Sequence, residues 1–191
     1  MQPSDVLDFW FGAPGSPEHG QARAEWFRKS SAFDASIAHR FGPLIEHALG
    51  GGLAEWAARA QAALARVIVL DQFTRNAFRD SPRAFAGDAF ALAAARAMIL
   101  AHHDEGLAPL QRGFVYLPFE HAEDLATQNE SVALFTQLAA QAPEMGQMLA
   151  YALRHQEVMR RFGRFPHRNR ILGRASTAEE QVFLELPGSR F

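Results

Sequence analysis

No cysteine occurs in the 191 residues, which excludes disulfides, thiolate zinc sites and cysteine nucleophiles, and with them a secreted disulfide scaffold. Any chemistry is left to oxygen and nitrogen. β-Branched residues are scarce too: Val, Ile and Thr number 16 together against 35 Ala and 19 Leu, the reverse of what a sheet protein needs. An all-α chain is expected. No apolar run approaches the roughly 18 to 20 residues that span a bilayer, and the opening Met1-Gln-Pro-Ser-Asp-Val-Leu-Asp-Phe-Trp10 has no cationic stretch leading into an apolar one. A cytoplasmic protein with no membrane partner is the expectation. Net charge is small, formally -2 with a pI near 6.4, which argues against a domain built to coat nucleic acid.

With 48% hydrophobic residues and no break in composition, residues 1–191 read as one domain with a sizeable core. A helix is expected from Ser4 to Phe11, stopping at Gly12, with Trp26 and Phe27 on a short piece beyond a Pro/Gly loop. The next runs from about Phe33 to the stop at Gly50-Gly-Gly52, bent at Gly42-Pro43. Leu53 to Phe73 reads as a central helix, apolar almost all round in its last two turns. Ser81-Pro82 reads as an N-cap followed by proline at the first helical position, opening a helix to His102. Shorter helices are expected over Leu110–Tyr116, Pro118–Thr127 and Ser131–Ala142, then a long one from Pro143 to Phe162. Ser176 and Thr177, three residues before Glu179 and Glu180, form a capping box for a last helix to Leu186. Short connections imply antiparallel neighbours, hence stacked helical hairpins or a bundle. No 34-residue self-similarity is visible.

Charge is concentrated rather than absent. Arg154 to Arg174 holds seven Arg against one acid, Glu157, a formal +6 (7 − 1), so the rest of the chain sums to -8. Such a cluster needs neutralising, by the chain's own carboxylates or by an anionic ligand. Gly163 and Pro166 interrupt the helix there and present Arg164, His167, Arg168 and Asn169 from irregular backbone, flanked by Arg161 and Arg174. Three further polar groups lie among apolar residues. In Asp71-Gln-Phe-Thr-Arg-Asn76, Asp71 and Arg75 share a face with Leu64 and Ile68, as a packing ion pair or as the lining of a pocket. In Tyr116-Leu-Pro-Phe-Glu-His-Ala-Glu-Asp124, Glu120 and His121 could act as acid and base. If Pro118 opens a helix, however, Glu120 and Glu123 sit in a first turn that favours carboxylates anyway. His155 falls on the stripe of Met148, Ala152 and Met159, where a hydrogen-bonded core histidine is the plain alternative.

No His-Glu-x-x-His or Glu-x-x-His pattern supports a metal, no Gly-x-Ser-x-Gly elbow supports a serine hydrolase, and no glycine-rich phosphate loop supports a nucleotide cofactor. No metal and no cofactor are expected.

Four segments in this order, Val6 to Gly12, Leu70 to Asn76, Tyr116 to Glu123, and Arg161 to Asn169 with Leu172 to Glu180, resemble the bacterial domain-of-unknown-function family 924 over nearly the whole chain. The chain departs from the family pattern at Thr74, where that pattern has proline, a change expected to loosen a helix terminus. The resemblance implies a right-handed, tetratricopeptide-like α-α superhelix and no established activity. Two functions remain open. One is a binding module in which Asp71, Arg75, Asn76, Tyr116, His155, Arg161, Arg164, Arg168, Asn169 and Arg174 serve an anionic small molecule or an acidic peptide. The other is an enzyme on a carboxylate or phosphate substrate, with Glu120, His121 and His167 moving protons. Convergence of the distant motifs on one concave site is expected in either case, because unpaired buried charge typically costs several kcal/mol.

Overall fold

Apolar stripes at helical spacing close here around a nest of aromatic rings. In the computed structural model, which describes residues 1–189, α1 (Pro3–Phe11) begins with Pro3 in its first turn, and the Asp5 carboxylate accepts from the Gln2 N–H at 2.7 Å. It ends at Gly12, whose φ of 84° suits glycine, and a Cβ there would meet the backbone of Glu18 and His19 at 2.7 Å. Trp10 packs within 5.7 Å of the Trp26 ring and 5.6 Å of both Phe73 and Phe114. Burying each such large side chain is worth about 1.5–3 kcal/mol, so this nest anchors the first third of the chain on its centre.

Helix α2 (Ser31–Leu49) is capped by Ser30, whose Oγ accepts from the Phe33 N–H, and it turns Ile37, Phe41, Ile45 and Ala48 inward. The expected helix from Leu53 starts later. A 3-10 turn (Ala54–Ala58) and extended Arg59 precede α3 (Ala60–Val67), which continues through a π-helical turn (Ile68–Phe73) into α4 (Thr74–Ala77). Thr74 is thus inside a continuous helical run rather than at a terminus. Its N–H and its Oγ1 both donate to the Val69 carbonyl, which ties the wide turn together instead of loosening it.

The helix expected from Ser81 is also divided. Pro82–Phe85 forms a 3-10 turn without a side-chain cap from Ser81, and α5 (Asp88–Leu100) starts afresh after Gly87. It buries Ala91, Ala95 and Met98 while Phe90 and Leu100 stay exposed. The largest correction concerns Pro118, which lies inside α6 (Pro109–Glu120) and opens nothing. Helix α7 (Leu125–Gln141) is capped by Asp124, which accepts from the Thr127 N–H at 2.8 Å. A 3-10 turn (Pro143–Met145) leads into α8 (Gly146–Phe162), which closes on Gly163 at φ 67°. A last 3-10 turn (Pro166–Arg168) precedes α9 (Ala178–Leu184), where Thr177 and Glu180 form the expected capping box, with bonds of 3.2 and 2.8 Å.

Helices α6, α7 and α8 pack in sequence order, and α6 also meets α3 and α5. One buried cluster extends from Val6 to Ala152, with a smaller one of Val158, Met159 and Phe165 beneath α9. Regular structure among the described residues is helical throughout, and no described helix is long and apolar enough to cross a membrane.

Candidate functional site

The π turn brings Asp71 to the centre of the molecule. Such turns insert one residue into a helix and redirect the side chains that follow. Asp71, 1% exposed, accepts from Nδ1 of His121 at 2.7 Å, from Nε2 of Gln72 at 2.5 Å and from Nε of Arg75 at 3.4 Å. Burial opposes its charge, but His121, Arg75 and Gln72 together hold its carboxyl well below the usual range. An ionised carboxylate can only accept, so Nδ1 of His121 carries the proton. Burial, followed by the nearby Arg75 cation, pushes the His121 pKa down, so the ring is a neutral imidazole.

Asp88, in the first turn of α5, stands between two guanidinium groups. Its oxygens accept from Nη2 of Arg75 at 2.7 Å and from Nη1 of Arg168 at 3.3 Å. Burial raises its pKa in spite of both cations. Arg168 is only 5% exposed and lies between the rings of Phe85 and Phe165, 4.7 and 4.6 Å from their centres. Its Nη2 donates to the His121 carbonyl at 2.9 Å, while its buried Nε meets no acceptor among the described residues. Burial, with Arg75 nearby, pushes its pKa down to about 10. A cleft of about 260 Å³ opens at this point, lined by Asp88, Leu92, Pro118, His121, Glu123 and Arg168 among others.

Glu120 lies behind this wall, at the C-terminus of α6, where the helix dipole disfavours a carboxylate. The first-turn position expected for it is therefore wrong, because α6 runs through Pro118. Burial and the charge of Asp71 push its carboxyl up to about 8, so it is a neutral acid near pH 7. Oε1 of Glu120 is 3.1 Å from Nδ1 of His155, which also bonds the Tyr151 carbonyl at 2.9 Å. Burial pushes His155 to about 3, in keeping with the core alternative for that residue. His167 stacks on Phe165 at 5.7 Å, and burial and the cation of Arg168 push it to about 3 as well. Neither Glu120, His155 nor His167 lines the cleft.

The chain's own acids take up most of the arginine cluster. Arg174 grips both oxygens of Glu123 at 2.6 and 2.8 Å, and the Phe165 N–H reaches the same carboxylate at 2.7 Å. Arg164 holds Glu180 through two bonds of 2.7 and 2.8 Å, and Asn169 joins Glu180 to Ser176 and Arg174. Arg161 pairs with Glu179 at the surface. Four residues expected at a ligand, Arg161, Arg164, Asn169 and Arg174, therefore brace the chain's end. Asn76 lies outside the cleft as well, bonding the Gln72 carbonyl and Arg79, as does Tyr116, whose hydroxyl donates to Asp104 at 2.6 Å. Periodicity missed Asp88 and Phe85 because the expected helix is divided there, Phe85 ending a separate 3-10 turn and Asp88 opening α5 after Gly87. An acid in a first turn reads as ordinary dipole chemistry.

Among the described residues, no group of three or more His, Asp or Glu side chains is arranged to hold a metal ion. No curated protein matches the chain. The solved structure of the protein of unknown function ATU0120 from Agrobacterium tumefaciens is similar to it over 96% of both chains, with 38% identity and a TM-score of 0.84. Residues 6–188 match the family described as "Bacterial protein of unknown function (DUF924)", and at that coverage the chain belongs to this family.

Proposed function

We propose that this chain is a helical scaffold whose cleft, at the start of α5 and the end of α6, binds a small molecule through an anionic group. Arg168 carries the reading. It is a buried guanidinium on the cleft wall whose Nε meets no acceptor among the described residues, and whose contact with Asp88 is long at 3.3 Å. Desolvated cations of this kind make stronger hydrogen bonds to anions than exposed ones do. At about 260 Å³ the cleft falls below the usual pocket range of roughly 300–1,000 Å³, which favours a small ligand over an acidic peptide. The arrangement fits one domain of stacked helical hairpins, read as a right-handed tetratricopeptide-like superhelix with the polar cleft on its inner face, in a cytoplasmic protein.

A second reading, an enzyme acting on a small carboxylate or phosphate, is favoured by the 2.7 Å contact of Asp71 with His121, which orients a neutral imidazole at the cleft. Thermal melts of the wild type and of Arg168→Met in phosphate, sulfate and dicarboxylate test the binding reading. Ligand at 100 times its Kd stabilises by about 2.7 kcal/mol, so the wild-type Tm should climb with anion concentration and the variant's should not. A wild type indifferent to every anion, beside a strongly destabilised variant, would assign the arginine network to structure alone.

A further inference from the structure

The polar lining of the cleft is lopsided. Arg168 can only donate. Asp88 and Glu123 can only accept when ionised, and each is already engaged, Asp88 by Arg75 and Arg168 and Glu123 by Arg174. That leaves His121. With Nδ1–H committed to Asp71 at 2.7 Å, the unprotonated nitrogen is Nε2, an acceptor, on a ring that is 16% exposed and lines the cleft. Among the described residues no donor bonds Nε2. The tautomer is fixed from behind, since Gln72 and Arg75 hold the Asp71 carboxylate in place. The backbone adds a second constraint, because Arg168 donates to the carbonyl of His121 itself and so keeps guanidinium and imidazole as neighbours.

A plain carboxylate entering this cleft would satisfy Arg168 and strip water from Nε2 without replacing it. Leaving a buried polar atom unpartnered is the penalty by which a site built for a hydroxyl rejects the analogue that lacks one. We infer that the ligand is a small hydroxy- or amino-carboxylic acid, its carboxylate on Arg168 and its hydroxyl or ammonium hydrogen donated to Nε2 of His121. His121 then selects among carboxylates, and Asp71 is a positioning residue. The inference rests on the reading of the cleft as an anion site and adds the donor that the anion must carry beside it.

Isothermal titration of the wild type with lactate, alanine and propionate, and with malate against succinate, compares acids that differ by one donor. Lactate or alanine should bind about tenfold or more tightly than propionate, and malate than succinate. Which of lactate and alanine wins identifies the donor as hydroxyl or ammonium. In His121→Phe the discrimination should vanish while propionate binding persists, and His121→Gln, whose Oε1 still accepts, should recover part of it. Asp71→Asn should also lose discrimination, because its amide can donate to Nδ1 and turn Nε2 into a donor. Acids bound alike within about threefold by the wild type, or discrimination that survives in His121→Phe, would overturn the inference and leave the anion site standing. A wild type that binds none of the five acids would overturn the inference, and would take the anion site with it only if phosphate and sulfate also leave the Tm unmoved.

Discussion

Gly87 packs its α-carbon against the carbonyl group of Leu70 so closely that a Cβ would fall on the oxygen. The contact joins the π turn to the start of α5. It sets Asp88 one residue later, between Arg75 and Arg168, and so fixes one wall of the cleft. With φ at −89°, Gly87 is not there for its backbone freedom; it is there for the space.

Gly87→Ala should therefore cost about 1–3 kcal/mol or more, because the neighbour that must give way is backbone inside a buried helical run. Gly146→Ala is the control. Its φ is −55° and nothing lies within 4 Å of its added Cβ, so it should stabilise by about 0.4–1 kcal/mol. Urea denaturation of both decides, and equal effects would refute the close approach.

Gln128, fully buried on α7, donates its two amide hydrogens to the carbonyls of Glu120 and Ala122 at 2.6 and 2.8 Å, with the Phe119 carbonyl 3.3 Å away. It thus caps α6 from a neighbouring helix, just where Glu120 and His121 emerge. Gln128→Leu should lose about 1–3 kcal/mol through carbonyls left without a donor. A loss under about 0.5 kcal/mol in the same assay would show that the α6 terminus is satisfied otherwise.

What could be read in the sequence was the part governed by local rules. Gly12 and Gly163 end helices, Thr177 and Glu180 make a capping box, and Asp71 and Arg75 share a face one turn apart. Competing tertiary effects hid the rest. Pro118 removes one helical hydrogen bond at a cost of about 3 kcal/mol, but every residue from Gly113 to Glu120 is buried, and that packing carries α6 through it. The π turn adds a residue that no period records. The pairing of arginines with Asp88, Glu179 and Glu180 depends on which elements meet in space, and charge counting said only that partners were needed.

Tyr116 was expected at the ligand site, and its actual bond to Asp104 gives that expectation a direct check. Asp104 is 5% exposed, and beyond Tyr116 its nearby cation is Arg112 at 3.8 Å. Burial and Asp104 push the tyrosine up to about 12, so the hydroxyl stays protonated and keeps donating across the working pH range. Tyr116→Phe should cost about 1–3 kcal/mol of stability and leave any anion-dependent rise in Tm unchanged. A variant of normal stability that no longer responds to anions would place the hydroxyl back in the site.

The buried titratable groups set a stability optimum near neutrality, with a different residue type behind each limb. His155 and His167, both pushed to about 3, and His121, also lowered, stay unprotonated in the folded chain at pH values where free imidazoles, near 6.5, take up protons. The unfolded state then binds more protons, so stability falls as pH drops below about 6.5. Glu120 acts in the opposite sense. Pushed up to about 8, it keeps its proton in the folded state while the unfolded chain releases it from about pH 4.3 upward, so its contribution weakens the fold as pH rises through that window. Between about 4.3 and 6.5 His155 and His167, both pushed to about 3, outweigh Glu120. From about 6.5 to 8 the proton held by Glu120 sets the slope, and at about 1.4 kcal/mol per unit its share of the decline is on the order of 2 kcal/mol. Glu120→Gln, close in shape and uncharged, should abolish that alkaline decline and keep the acid limb. Urea midpoints from pH 4 to 9 measure both, and a decline between pH 6.5 and 8 that persists in the variant would locate the released proton elsewhere.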